Sequence, residues 1–201
     1  MCYNLPNNPQ NNLKCGYKGK TMIYTYKEIK EKFGSKYNIK KALNQGIIFK
    51  QERGIYSDTK QVSELNIITQ KYPDAIFSMQ SAFYYHHLTD TIPDYYYLET
   101  DRDGSKIQDK RVKQLFDKKE FLQLGKVTID YEGCQISIYS KERMFIELVR
   151  SKTKLPFDYY KEIIYSYRKI ISSLDIQEIE ELSLLLPKKE KVREVLEMEV
   201  L

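Results

Sequence analysis

The chain reads as an α+β protein in two unequal parts, a small helix-and-hairpin module followed by a larger mixed α+β domain that ends in helices. Three observations predict this. Two short, separately capped helical patterns lie back to back between Thr25 and Gly46. Runs of alternating apolar residues recur after them, most clearly at Val127–Tyr131 and Cys134–Tyr139, and period-2 alternation is the mark of a half-buried strand. The charge is also divided: residues 1–57 hold 11 Lys and Arg against 3 Asp and Glu, a local +8, whereas the remainder holds 22 against 25.

Residues 1–20 contain Pro6, Pro9, five Asn and no apolar period, so they read as a flexible leader. Order is expected from Thr21, with residues 21–57 as the first folded module. Thr25 followed three residues later by Glu28 is a capping box, and starts a helix. Ile29 and Phe33 share one face of it, and Gly34 ends it. Ser35 offers a second N-cap at once. The next helix places Ile39, Ala42 and Leu43 on one side and stops at Gly46. Ile47–Gln51 and Ile55–Tyr56 then read as two strands around Glu52-Arg53-Gly54, where Gly54 can take the positive φ that a tight hairpin demands. Two helices joined by Gly-Ser and followed by a hairpin form a winged helix-turn-helix pattern, although no helix is visible ahead of the pair.

At about 100° per residue, the second helix turns Tyr37, Lys41 and Asn44 away from its apolar side. Lys40 lies on the flank and Lys36 in the first turn. This face has cations for phosphates, an amide and a phenol able to reach base edges, and no acidic residue. Lys50 and Arg53 fall near the hairpin tip. The candidate DNA-binding residues are therefore Lys36, Tyr37, Lys40, Lys41, Asn44, Lys50 and Arg53, and the expected partner is double-stranded DNA.

Asp58–Lys71, with Val62, Leu65 and Ile68 inward, reads as a helix within a linker at 58–74, stopped by Pro73. In the second domain, 75–201, Ala75–Phe77 is a short strand. Ser78 or Ser81 caps a helix running through Ala82, Phe83 and Leu88, and Tyr95–Leu98 is another strand. Asp101–Ser105 is a turn by composition. After the Val127–Tyr139 hairpin, Ser140 starts a helix to Arg150, and Pro156 opens a long one ending near Leu174. Asp175 with Glu178 makes a second capping box leading into the closing helices. Residues 175–201 carry 8 acidic against 4 basic residues and read as a solvated helical surface.

Little in the chain suggests catalysis. Glu99, Asp101, Asp103 and Asp130 could be metal-binding carboxylates beside strands, but Asp-x-Asp before Gly-Ser suits a solvated turn, and no Lys follows Asp130 at the alternating position. The only histidines, His86 and His87, are adjacent and diverge by about 100° on a helix, which favours packing over ligation. No phosphate loop or nucleophile elbow is present. The expectation is no catalytic residue, no metal and no cofactor. The scattered Cys2, Cys15 and Cys134 suggest neither a zinc ribbon nor a disulfide framework. With no signal pattern and no run near the roughly 20 apolar residues of a membrane span, the chain reads as a reduced cytoplasmic protein.

Three segments carry a resemblance. Ser81-Ala82-Phe83-Tyr84-Tyr85-His86-His87-Leu88-Thr89-Asp90, with Ile92-Pro93, resembles the S-A-L…H-x-L-T-D…P segment of AbiEi-type antitoxins. Ser140-Lys141-Glu142-Arg143-Met144-Phe145-Ile146-Glu147-Leu148 is similar to that family's S-x-E-R-T-L-I-D-L segment, with Met144 for Thr and Glu147 for Asp. Arg53-Gly54-Ile55-Tyr56 resembles its R-G-x-Y closing strand. The resemblance spans about residues 21–175 and implies a type IV toxin–antitoxin system linked to phage defence. It implies a winged-helix N-domain that represses its own operon through inverted repeats in the promoter. It also implies a C-domain that counters a nucleotidyltransferase toxin without a stable complex. Arg143, at a helix start after a hairpin, is placed to pair with a domain carboxylate. Two other readings stand beside this one: an ordinary winged-helix transcription factor with a ligand-sensing or dimerising C-domain, and a DNA-targeted nuclease.

Overall fold

The computed structural model describes residues 21–200 as a mixed α+β chain, divided into two compact units that meet in sequence at Gln70 and Lys71. The proposed leader, residues 1–20, lies outside the described residues, as do Cys2 and Cys15.

The first unit contains β1 (Ile23–Thr25), α1 (Tyr26–Phe33), α2 (Lys36–Asn44), β2 (Phe49–Glu52), β3 (Ile55–Ser57) and α3 (Glu64–Lys71), whose last residue begins the second unit. The capping box is complete. The Glu28 N–H donates to Thr25 Oγ1 at 3.3 Å, and the Thr25 N–H donates to Glu28 Oε2 at 2.6 Å. Ser35 Oγ accepts the Asn38 N–H at 3.2 Å and starts α2. Ile29, Ile39, Ala42, Ile48 and Tyr56 form the core, with Tyr24, Phe33 and Leu43 packed against it. The antiparallel three-stranded sheet has the order β1-β3-β2.

Three expectations change here. Strand β1 pairs with β3, Tyr24 opposite Tyr56, a non-local pairing with no local pattern to announce it. The hairpin strand begins at Phe49, because Ile47 closes the helix end by donating its N–H to Ala42 O at 3.0 Å. The helix expected from Asp58 starts only at Glu64. Polar bonds hold the preceding segment away from helix: Gln51 Nε2 donates to Ser57 Oγ at 2.7 Å and to Thr59 O at 3.1 Å. Ser63 Oγ then accepts the Asn66 N–H. Ile67 and Ile68 are buried, whereas Val62 precedes the helix and Leu65 is half-buried.

The second unit is built on β4 (Ile76–Phe77), β5 (Tyr96–Asp101), β6 (Val112–Asp117), β7 (Lys126–Tyr131) and β8 (Cys134–Tyr139), in the order β6-β5-β4-β8-β7. Strands β5 and β6 are parallel, as are β4 and β8; the other two pairings are antiparallel. The helices are α4 (Met79–Tyr85), α5 (Lys119–Leu122), α6 (Lys141–Ser151), α7 (Phe157–Ile170), α8 (Ile176–Leu185) and α9 (Lys189–Val195). No described helix is long and apolar enough to cross a membrane.

Helix α6 is the centre of this unit: every residue from Arg143 to Val149 is buried. Its start is locked by Gly125, which has φ +69° and lies so close that a Cβ there would stand 2.5 Å from Arg143 Cβ. Only glycine meets both conditions. Strand β6 and helix α5 are absent from the sequence reading. The expected helix through Leu88 ends at Tyr85, and His87 turns left-handed at φ +57°. Ser81 does not cap it; its Oγ accepts the Tyr97 N–H at 2.9 Å and ties α4 to β5. The long α7 ends at Ile170, followed by a 3-10 turn over Ile171–Ser173. Asp175 does cap α8, accepting the Glu178 N–H at 3.0 Å. The reciprocal half of that box is missing: the Asp175 N–H donates to Glu142 Oε1, and Glu178 Oε1 accepts from Ser140 Oγ.

Candidate functional site

Helix α2 buries Ile39 and Ala42 and thereby fixes what it turns outward. Lys36, Tyr37, Lys40, Lys41 and Asn44 are all exposed, and Tyr37 keeps 77% of its surface in water. Tyr37, Lys40, Lys41, Asn44 and Gln45 border one shallow depression of about 310 Å³. No carboxylate lies on this helix, KYNIKKALN, so the amide and phenol stand among cations with no acidic neighbour on their own helix.

Lys50 and Arg53 stand apart from this depression. Lys50 is exposed on β2 opposite Tyr56, and Arg53 is exposed at the tip of the β2–β3 hairpin. A register shift between Lys50 and Glu52 makes Gln51 the extra residue of a bulge, and such bulges bend and twist a hairpin. Gly54 turns the tip at φ +83°. The seven candidates therefore form a helix group of five and a hairpin group of two.

The carboxylates singled out in the second unit do not converge. Asp130 is engaged in its own hairpin, accepting the Gly133 N–H at 2.9 Å and Gln135 Nε2 at 2.7 Å. Asp101 accepts the Asp103 N–H in the turn after β5. The histidines also diverge. His86 Nε2–H donates to Tyr139 O at 2.7 Å, and burial lowers its pKa. The His87 ring stacks loosely near Tyr131, 6.2 Å between centroids.

Glu99 is the exception: it lies with Arg143, expected from the sequence to pair with a carboxylate, and with Asp117 and Glu147, which the sequence did not single out as site carboxylates. Glu99, Asp117 and Glu147 are all buried, together with fully buried Arg143. Arg143 Nη2 lies 2.9 Å from Glu147 Oε1 and 3.3 Å from Asp117 Oδ2. Arg150 Nη1 donates to Glu147 Oε1 at 2.5 Å and lies 3.9 Å from Asp117 Oδ2. The Arg143 guanidinium also covers the Tyr139 ring at 4.8 Å and donates to Phe121 O at 3.4 Å. Burial, and then the nearby Glu147 charge, push the Glu99 carboxyl up to about 7. Asp117 was missed because β6 was missed. The i, i+4 spacing of Arg143 and Glu147, with Arg150 three further on, was visible in the sequence as a helical charge ladder.

Among the described residues no group of three or more His, Cys, Asp or Glu is arranged to hold a metal ion. In the cluster around Glu99 the arginines occupy carboxylate oxygens that a cation would need. No protein-family model and no curated protein matches the chain.

Proposed function

We propose that residues 21–57 are a winged helix-turn-helix that binds double-stranded DNA, and that the chain is an AbiEi-type antitoxin and autorepressor. The single observation that carries DNA binding is the outward face of α2: three exposed lysines, Tyr37 and Asn44, with no carboxylate on the helix. A recognition helix enters the major groove with polar side chains toward base edges, while flanking cations hold phosphates. In this reading Tyr37, Lys41 and Asn44 face the groove. Lys36 and Lys40 grip the backbone beside it, and the hairpin carries Lys50 and Arg53 to phosphates further along. An asparagine is suited to the N6 and N7 edge of adenine.

The antitoxin assignment rests on the resemblance of Ser81–Pro93 and Ser140–Leu148. The second segment contains the arginine, Arg143, on which the buried cluster is centred. Repression of its own promoter belongs to the first unit, and neutralisation of a nucleotidyltransferase toxin to the second, without a stable complex. The protein acts as a cytoplasmic regulator rather than an enzyme.

The test separates the two activities. With toxin and antitoxin expressed from foreign promoters, Lys40→Ala/Lys41→Ala is expected to abolish promoter binding and leave growth rescue intact. A folded double variant that no longer rescues at fixed toxin expression would overturn the division of labour. Asn44→Ala is expected to cost about 1–3 kcal/mol on the operator and little on random DNA.

A further inference from the structure

One face of the parallel β5–β6 pair forms the floor of a second, larger pocket of about 610 Å³, lined entirely by the second unit. In-register residues Tyr97 and Lys113, then Glu99 and Leu115, lie on that face, with Asp117 beyond. The end of α6 supplies Glu147, Arg150 and Ser151, and the start of α4 supplies Met79 and Gln80. A volume of this order holds a small organic molecule.

The pocket's charges fall into two layers. At the base, Asp117 and Glu147 are tied to Arg143 and Arg150. Glu99 there, pushed up to about 7, is largely protonated in mildly acidic water and shares its proton near neutrality. At the rim, Arg102, Lys113, Lys154 and Lys188 are exposed. The side chains of Arg102, Lys113 and Lys154 make no ion pair among the described residues, and Lys188 Nζ donates to Arg150 O. The base is thus nearly neutral but rich in oriented acceptors, and the rim is positive.

Two further features point to a ligand. Gln80 Oε1 is shut from water and has no hydrogen-bond partner among the described residues. Buried acceptors in native proteins are nearly always satisfied. Met79 and Lys188, which both line the pocket, also hold left-handed backbone at φ +46° and +71°. Non-glycine residues in that region collect at binding sites.

We infer that this pocket binds a small organic phosphate bearing hydroxyl groups, of the sugar-phosphate or mononucleotide class. The phosphate meets the rim cations. The ligand's hydroxyls donate to the arginine-locked carboxylates and, after a rotation of the Gln80 side chain, to its Oε1. Its apolar edge lies against Met79, Leu155 and Tyr97. The inference concerns the second unit only and does not depend on DNA binding by the first.

The test is calorimetric titration of the full chain, at constant ionic strength, with inorganic phosphate, ribose 5-phosphate, a nucleoside monophosphate and a single-stranded oligonucleotide. Saturable binding of ribose 5-phosphate or the monophosphate is expected, tighter than inorganic phosphate. Equal affinity for ribose 5-phosphate and the monophosphate assigns a sugar phosphate, and a gain for the monophosphate assigns a nucleotide. Lys113→Ala/Lys154→Ala should weaken that binding by about ten-fold or more, and so should the single exchange Lys113→Glu. Lys40→Ala/Lys41→Ala should leave it unchanged, while the pocket variants should keep their DNA affinity. The inference is overturned by no saturable binding up to about 10 mM, by binding indifferent to both pocket variants, by binding lost with the α2 lysines, or by binding of the oligonucleotide alone.

Discussion

The same side-chain chemistry is used in opposite ways in the two units. On α2 the lysines are in water with no carboxylate on their helix. Around α6 Arg143 is buried and Arg150 half-buried, and each is paired with carboxylates. In the first case the helix's own fold leaves charge available to something outside the protein. In the second, the charges are already neutralised within the chain, and breaking one pair strands its partner away from water. Substitutions should therefore report different things: loss of binding with little loss of stability on α2, and loss of stability around α6.

The largest expected effect breaks the buried cluster. Arg143→Ala leaves Asp117 without its closest cation and Glu147 with Arg150 alone, and should destabilise the second unit by about 3–5 kcal/mol, measured by urea denaturation. A cost below about 1 kcal/mol would show that the cluster hydrates readily. Gly125→Ala comes next. The new methyl meets Arg143 at 2.5 Å, and the backbone is held at φ +69°, so a loss of about 2–4 kcal/mol is expected in the same assay. A change near zero would mean that the α6 start is looser than its packing indicates.

Glu99 sharpens the comparison through pH. Its pKa is raised from 4.5 to about 7, so between those values the folded state holds a proton that the unfolded state has released. Stability then falls as pH rises across that window. Glu99→Gln should remove this dependence and stabilise the protein by about 1–3 kcal/mol at pH 8, with the difference vanishing below the unfolded pKa. Parallel stability curves for the two proteins from pH 4 to pH 8 would contradict the burial of this carboxyl.

How much of this was legible in the residues follows from how local each feature is. The α1–α2 turn was readable because Thr25, Glu28, Gly34 and Ser35 bond only to near neighbours. The β7–β8 hairpin was readable because both strands alternate and Asp130 and Gly133 close the turn between them. The outward set on α2 followed from simple helical geometry once Ile39 and Ala42 were placed inside. Strand β6 was hidden because V-K-Q-L-F-D does not alternate cleanly: Phe116 is exposed and Asp117 is buried. Its pairing with β5 is parallel and crosses an irregular connection without a helix. The cluster was hidden for the same reason, since Glu99, Asp117 and Glu147 come from three separate elements.

The central claim is that the cations of α2 are held for the phosphates of DNA. The measurement that tests it most directly is the affinity for promoter DNA across a range of salt, for the wild type and for Lys36→Ala/Lys40→Ala, which removes the two lysines of α2 assigned to phosphates. Each phosphate contact contributes about 0.9 to the slope of log affinity against log salt. The account predicts a wild-type slope of a few units that falls by about 2 in the double variant, with both proteins equally stable to urea. An affinity independent of salt, or an unchanged slope in the folded double variant, would contradict it.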